Sequence, residues 1–243
     1  MTLKVICSLI AVLDLVSATE QQAFQNTHAK DTIAPNDEVV REPPIFPMAF
    51  NVSFSEISVL GSGVLGANTG AWYYDFTNRN WRVDHGRGQS NKYCTGQGED
   101  FAPCQLFFTP KQDLIVNFPE SGFCCRLCGT KEGCTILTPT WIKSSGAKIN
   151  SQETINGVQC YGFEKPNSTM FQDNGSWIWY ADQNGTPCRY YEEADWTIHN
   201  MTFHHESYKI GPQNPDLFKL PADKCNTSCP QPHFSHQNRT NIF

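Results

Sequence analysis

Ten cysteines remain in this chain once an N-terminal leader is set aside, and they constrain the fold more than any other feature. They are Cys94, Cys104, Cys124, Cys125, Cys128, Cys134, Cys160, Cys188, Cys225 and Cys229. An even set of thiols at this density belongs in an oxidising compartment, where disulfides persist. Cys125-Arg126-Leu127-Cys128 has a spacing seen in zinc and redox sites. A zinc site needs a second pair at similar spacing, and a redox pair opens a helix in a βαβ unit. Neither context is present, so all ten are read as structural disulfides and no metal is expected. Adjacent Cys124 and Cys125 have Cα atoms only ~3.8 Å apart, whereas bridged pairs prefer roughly 4.4–6.8 Å. They are therefore expected to reach two different segments and make residues 124–125 a covalent hub. The connectivity stays open.

Seven N-glycosylation sequons point the same way. They start at Asn51, Asn167, Asn174, Asn184, Asn200, Asn226 and Asn238, and none has proline in its middle position. The number argues for passage through a glycosylating lumen. The leader itself is legible. Lys4 precedes the apolar run Val5 to Leu13, and Val16-Ser17-Ala18 supplies small residues for cleavage after Ala18. Asp14 interrupts the run, which is too short for the ~20 residues of a spanning helix. No transmembrane segment is expected, and the C-terminus carries no retention signal or anchor tail. The expected destination is extracellular, with an endolysosomal lumen as runner-up. The expected organisation is a signal peptide at 1–18, a disordered arm at 19–44, one β-rich domain at 45–230 and a flexible tail at 231–243.

Periodicity gives the fold class. In Phe50-Asn51-Val52-Ser53-Phe54 apolar and polar residues alternate, as on a half-buried strand. Gly61, Gly63, Gly66 and Gly70 follow and read as a loop. A hairpin joins Ala71–Phe76 to Trp81–His85, with Trp72, Tyr74 and Phe76 on one face and Trp81, Val83 and His85 following suit. A second joins Gln105–Phe108 to Leu114–Val116. Residues 119–156 read as irregular and cysteine-dense, with a short helix near Thr140 to Lys143. Val158–Phe163 is a further strand. A third hairpin joins Ser176–Tyr180 to Pro187–Tyr191 through Asn184-Gly185, the dipeptide preferred in type I′ turns. A last strand runs from Trp196 to Ser207, but Ile198 and Asn200 would share a face, which calls for a bulge or an early end. Hairpin after hairpin without amphipathic helices makes an antiparallel, mainly β protein.

Chemistry leaves little trace. The net charge of −6 and the absence of a basic stripe exclude nucleic acid as a partner. His199, His204 and His205 fall on the last strand, where a solvated edge is a better reading than a metal site. Glu192, Glu193 and Asp195 read as an exposed acidic strand end. No hydrolase elbow, zinc helix or calcium loop is present. No catalysis and no cofactor are expected.

The order of features resembles the ependymin-related proteins, secreted glycoproteins whose fold is similar to that of bacterial periplasmic lipoprotein carriers. The resemblance is carried by the Trp72-Tyr73-Tyr74-Asp75-Phe76 / Arg82-Val83-Asp84 hairpin and the Gln105-Leu106-Phe107-Phe108 strand. It extends to Gly157-Val158-Gln159-Cys160, the Trp177 to Tyr180 hairpin and Leu217-Phe218-Lys219-Leu220-Pro221 before Cys225. Cys124-Cys125 and Cys225-x-x-x-Cys229-Pro230 exceed that family's usual cysteine content and mark a divergent branch. The resemblance implies a strongly curved antiparallel sheet, a half-open β-barrel with long disulfide-stapled loops, cupping a lipid or other hydrophobic ligand. Large aromatics on sheet faces supply a candidate wall: Trp72, Tyr74, Phe76, Trp81, Phe108, Trp177, Trp179 and Trp196. A matrix or cell-surface interaction glycoprotein with a filled core is the alternative.

Overall fold

A computed structural model of the protein describes residues 41–60, 63–86, 94, 102–111, 113–132, 134–166, 175–194, 197–221 and 225–230. The expected signal peptide, most of the arm, the tail, Trp196 and the sequons at Asn167, Asn174 and Asn238 lie outside them. The strands are β1 (Ala49–Leu60), β2 (Gly63–Asp75), β3 (Asn80–His85), β4 (Cys104–Phe108), β5 (Asp113–Phe118) and β6 (Phe123–Gly129). After helix α1 (Trp141–Ser144) come β7 (Lys148–Ile155), β8 (Val158–Glu164), β9 (Ser176–Ala181), β10 (Pro187–Ala194), β11 (Thr197–Phe203) and β12 (Lys209–Ile210). All twelve belong to one sheet in the order β6-β5-β4-β3-β2-β1-β11-β10-β9-β8-β7, with β12 beside the start of β1. Every strand pairing is antiparallel, and the sheet does not close: β6 and β7 are its two edges.

Alternation sorts the side chains onto two faces, because successive residues of a strand point opposite ways. In β3, Trp81, Val83 and His85 are buried while the residues between them are half-buried. Register then aligns rows across strands. Val52, Trp72, Val83, Leu106 and Val116 stand opposite one another along one row. Phe54 and Phe203 extend this inner face onto β11. Phe54, Leu114, Val116 and Phe118 have no exposed surface at all. Burial of each such side chain contributes roughly 1.5–3 kcal/mol. Residues Phe46 and Ile136 to Ala147, including α1, cover this face: Phe46 N–H donates to the Pro139 carbonyl and the Tyr74 hydroxyl to that of Leu137.

Several sequence expectations are corrected. Gly63, Gly66 and Gly70 do not form a loop but lie within β2. A Cβ on Gly70 would sit 2.0 Å from the Asp84 carbonyl oxygen and 2.4 Å from the Phe54 ring, so glycine is needed for close packing inside a strand. Residues 119–156 are not wholly irregular, for they contain β6 and β7. Three of the seven residues of β6 are cysteines, and β7 is a polar edge strand, so neither shows an apolar period. The turn at Asn184-Gly185 is not type I′, which needs positive φ at both residues; Gly185 has φ 85° and Asn184 does not. Asp182 and Thr186 close a three-residue loop, and the Asp182 carboxylate accepts from the Asn184 and Thr186 N–H groups. The last strand ends early, at Phe203. Ile198 and Asn200 do share a face, the outer one, while His199, Met201 and Phe203 are buried on the inner.

All ten cysteines pair: Cys94–Cys104, Cys124–Cys225, Cys125–Cys229, Cys128–Cys134 and Cys160–Cys188. Cys124 and Cys125 do not reach different segments, as expected from their adjacency, but the same one. The reason is their opposite facing on β6. Cys124 packs with Phe107 and Ile115 on one side of the sheet, and Cys125 joins the main core on the other. The segment carrying Cys225 and Cys229 straddles the edge between them. Arg126 N–H donates to the Thr227 carbonyl, and Cys229 N–H donates to that of Arg126. The exposed hydrogen-bonding edge of β6 is thereby covered.

This clamp predicts non-additive stability losses. Replacing the pair Cys124 and Cys225 by serine should cost about 2–5 kcal/mol, and so should replacing Cys125 and Cys229 by alanine. The two bridges close nearly the same loop, at sequence separations of 101 and 104. Either bridge left in place still closes that loop, so each single loss should fall at the low end of that range, and losing both should cost clearly more than the sum of the two in the chain-entropy account. Urea unfolding of the three variants checks this; strict additivity would contradict a shared clamp.

Candidate ligand cavity

The inner face leaves a cavity of about 90 Å³. Its floor is apolar and deeply buried: Trp72, Trp81, Leu106, Phe108, Leu114, Trp179 and Met201 are each at most 6% exposed. Leu137, Trp141, Lys165, Trp177 and Tyr190 line it while remaining half-buried, so they mark the side that meets solvent. Trp81 stacks on Phe108 with ring centroids 4.3 Å apart, and Trp72 stacks on Trp179 at 5.8 Å.

Of the eight candidate wall residues, the cavity brings together Trp72, Trp81, Phe108, Trp177 and Trp179. Tyr74 is buried against Phe46 and Phe50, and Phe76 lies over Tyr74 at 6.2 Å; neither lines the cavity. Burial pushes the Tyr74 phenol well above its usual value. Trp196 lies outside the described residues. Val83 and His85 follow from the alternation of their hairpin. Leu137, Trp141 and Lys165 come from connecting segments, where no period announces them.

Two polar groups in the wall had no signature in the sequence as a pair. His85 and His199 both line the cavity, and both bind the carboxylate of Glu56. His85 Nδ1 is 2.7 Å from Glu56 Oε1, and His199 Nε2 is 2.8 Å from Oε2. All three side chains are about 1% exposed. The three residues come from β3, β1 and β11, 29 and 143 positions apart in sequence, so only strand pairing unites them. Burial raises the Glu56 carboxyl, but the two imidazoles more than offset this and hold it well below the usual carboxylate range.

The last strand is accordingly not a solvated edge. β11 runs between β1 and β10, and His199 is interior. His204 instead bonds Ser53 and Ser55, and His205 sits 3.0 Å from Asp182, so the three histidines do not converge. Glu192, expected at an exposed strand end, is 5% exposed, with its Oε2 3.9 Å from His199 Nδ1. Glu193 is exposed and accepts from the Tyr191 hydroxyl; Asp195 lies outside the described residues. Among the described residues no group of His, Cys, Asp and Glu is arranged to hold a metal ion, and no helix is long and apolar enough to cross a membrane.

Four sequon asparagines are described. Asn184 and Asn226 are exposed, whereas Asn51 and Asn200 are half-buried on strands. The Asn51 amide donates to Gln213 Oε1 at 3.2 Å.

No protein-family model and no curated protein matches the chain. Solved structures give distant likenesses. A conserved protein from Thermus thermophilus is 8% identical, over 75% of this chain and 91% of its own, with a TM-score of 0.45. A LolA superfamily protein from Nitrosomonas europaea is 12% identical, over 72% and 92%, with a TM-score of 0.36. The MucA/MucB complex of Pseudomonas aeruginosa contains a chain 10% identical, over 72% of this chain and 56% of that one, with a TM-score of 0.40.

Proposed function

We propose that this chain is a secreted, N-glycosylated, non-catalytic binder of a lipid or other hydrophobic ligand, a divergent relative of the ependymin-related proteins. The observation that carries the reading is the apolar cavity on the inner face of the sheet. A single aromatic in such a place is ordinary core; five tryptophans and a phenylalanine around unfilled space are what an apolar ligand needs. A strongly curved sheet is part of the same reading. Leu114 on β5 and Trp179 on β9 line one cavity although their strands stand seven places apart in the sheet order. At ~4.8 Å per strand a flat sheet would hold them roughly 34 Å apart. The exposed turn asparagines Asn184 and Asn226 and the five disulfides support the secretory assignment.

The alternative, an extracellular interaction glycoprotein with a filled core, draws support from the size of the cavity. At about 90 Å³ it is small beside ligand pockets of roughly 300–1,000 Å³. Binding a long chain therefore requires the half-buried rim to open. The test is native mass spectrometry of the secreted protein, followed by lipid titration read by tryptophan fluorescence. The binder should carry co-purifying lipid and respond in fluorescence. Trp177→Ala at the rim should weaken binding several-fold while leaving secretion intact. A protein that carries no lipid and responds to no lipid class is the interaction glycoprotein instead.

A further inference from the structure

The polar groups placed around the cavity include a set of hydrogen-bond donors, and this restricts the ligand further. The indole nitrogens of Trp81, Trp141 and Trp179 are buried and have no acceptor among the described residues. All three tryptophans line the cavity. An indole N–H can only donate, and a buried donor without an acceptor is unfavourable; of the three, Trp81 and Trp179 belong to the apolar floor, while Trp141 stands at the half-buried rim, the side from which a polar head would approach. Lys165, the one lining residue with a fixed positive charge, stands on the half-buried rim. Its ammonium lies 5.4 Å from the centre of the Trp177 ring, which holds the charge at the mouth rather than in the floor.

We propose that the cavity takes a single-chain amphiphile with an anionic, acceptor-rich head, the chain entering the aromatic floor and the head resting at Lys165 and the rim indole of Trp141. At about 90 Å³ the cavity is small, so one alkyl chain asks less opening of the rim than two. Charge complementarity at the rim favours an anion, and a carboxylate or a phosphate monoester meets both conditions. The proposal rests on the reading of the protein as a hydrophobic binder and adds the chemistry of the head group.

The test compares four twelve-carbon probes at pH 8 by tryptophan fluorescence: laurate, dodecyl phosphate, dodecanol and dodecyltrimethylammonium. Laurate, dodecyl phosphate or both should bind about tenfold more tightly than dodecanol, and the cationic probe should bind most weakly. The tighter of the two anions identifies the head. Lys165→Met should remove the preference for the anion and leave dodecanol binding unchanged, while Lys165→Arg keeps the preference. Trp141→Phe, which retains a ring and deletes the N–H, should weaken the anion several-fold and dodecanol, whose hydroxyl is a weaker acceptor, clearly less. Equal binding of dodecanol and both anions would overturn the proposal while leaving a hydrophobic binder in place. A Lys165→Met effect of equal size on all four probes would do the same. If none of the four binds, the proposal fails; the binder reading fails with it only where native mass spectrometry finds no co-purifying lipid and no other lipid class changes the fluorescence.

Discussion

Trp179→Ala should destabilise the protein by roughly 3–5 kcal/mol, the range for deleting a buried tryptophan where the surroundings relax only in part. Trp179 is 2% exposed and joins elements that meet nowhere else in sequence. Its ring lies 5.0 Å from Phe46 before β1, 5.3 Å from Phe203 on β11, 5.8 Å from Trp72 on β2 and 5.9 Å from Trp141 on α1. Such a loss is a large share of the ~5–15 kcal/mol that folds a typical domain. Secretion should fall sharply, and the urea midpoint of what is secreted should drop with an unchanged slope. Trp177, two residues away on the same face but half-buried, should cost about 1 kcal/mol. Equal losses at the two positions would mean that the floor and rim are not distinct.

Glu56→Gln should cost about 1.5–3 kcal/mol at neutral pH, because it replaces the buried carboxylate that two histidine hydrogen bonds share. The carboxylate is the shared acceptor of His85 and His199, and the amide supplies one acceptor where two are used. The pH dependence carries a sign. Glu56 has a folded-state pKa depressed below its ordinary value of 4.5. Its contribution to stability is therefore fully present above about pH 4.5 and is lost as the pH falls from there toward the folded value. Below pH 4.5 the native protein should lose stability through this residue at up to ~1.4 kcal/mol per pH unit. The Gln variant has no such group and should lack that part of the acid limb. Urea unfolding at intervals from about pH 7 to about pH 3 gives the comparison. An identical acid limb in the two proteins would show that Glu56 is not held ionised by its histidines.

The Trp72 and Trp81 hairpin, the strands at Leu106 and Trp179 and the oxidised state of the cysteines are local properties. Period-two burial, turn residues and thiol count act within a few positions, so the linear chain displays them. The same reasoning broke down wherever a strand's environment came from distant residues. β6 carries cysteines where apolar residues are expected, because the Cys225–Cys229 segment, about a hundred residues away, supplies its packing partners. β7 is polar because it ends the sheet, and the glycines of β2 look like a loop until Phe54 and Asp84 are placed against Gly70.

By itself the sequence determined an antiparallel β domain, five disulfides' worth of cysteine and a supply of aromatics with one face in common along each hairpin. Alternation and thiol chemistry are enough for that. Only the tertiary structure decided that five of those aromatics share one cavity, that Lys165 and Trp141 stand at its rim and that Glu56 lies between two histidines. Strand order and register fix which residues meet. They depend on pairing free energies summed over the whole sheet, such as β1 lying between β2 and β11 although the chain separates β1 from β11 by nearly 140 residues.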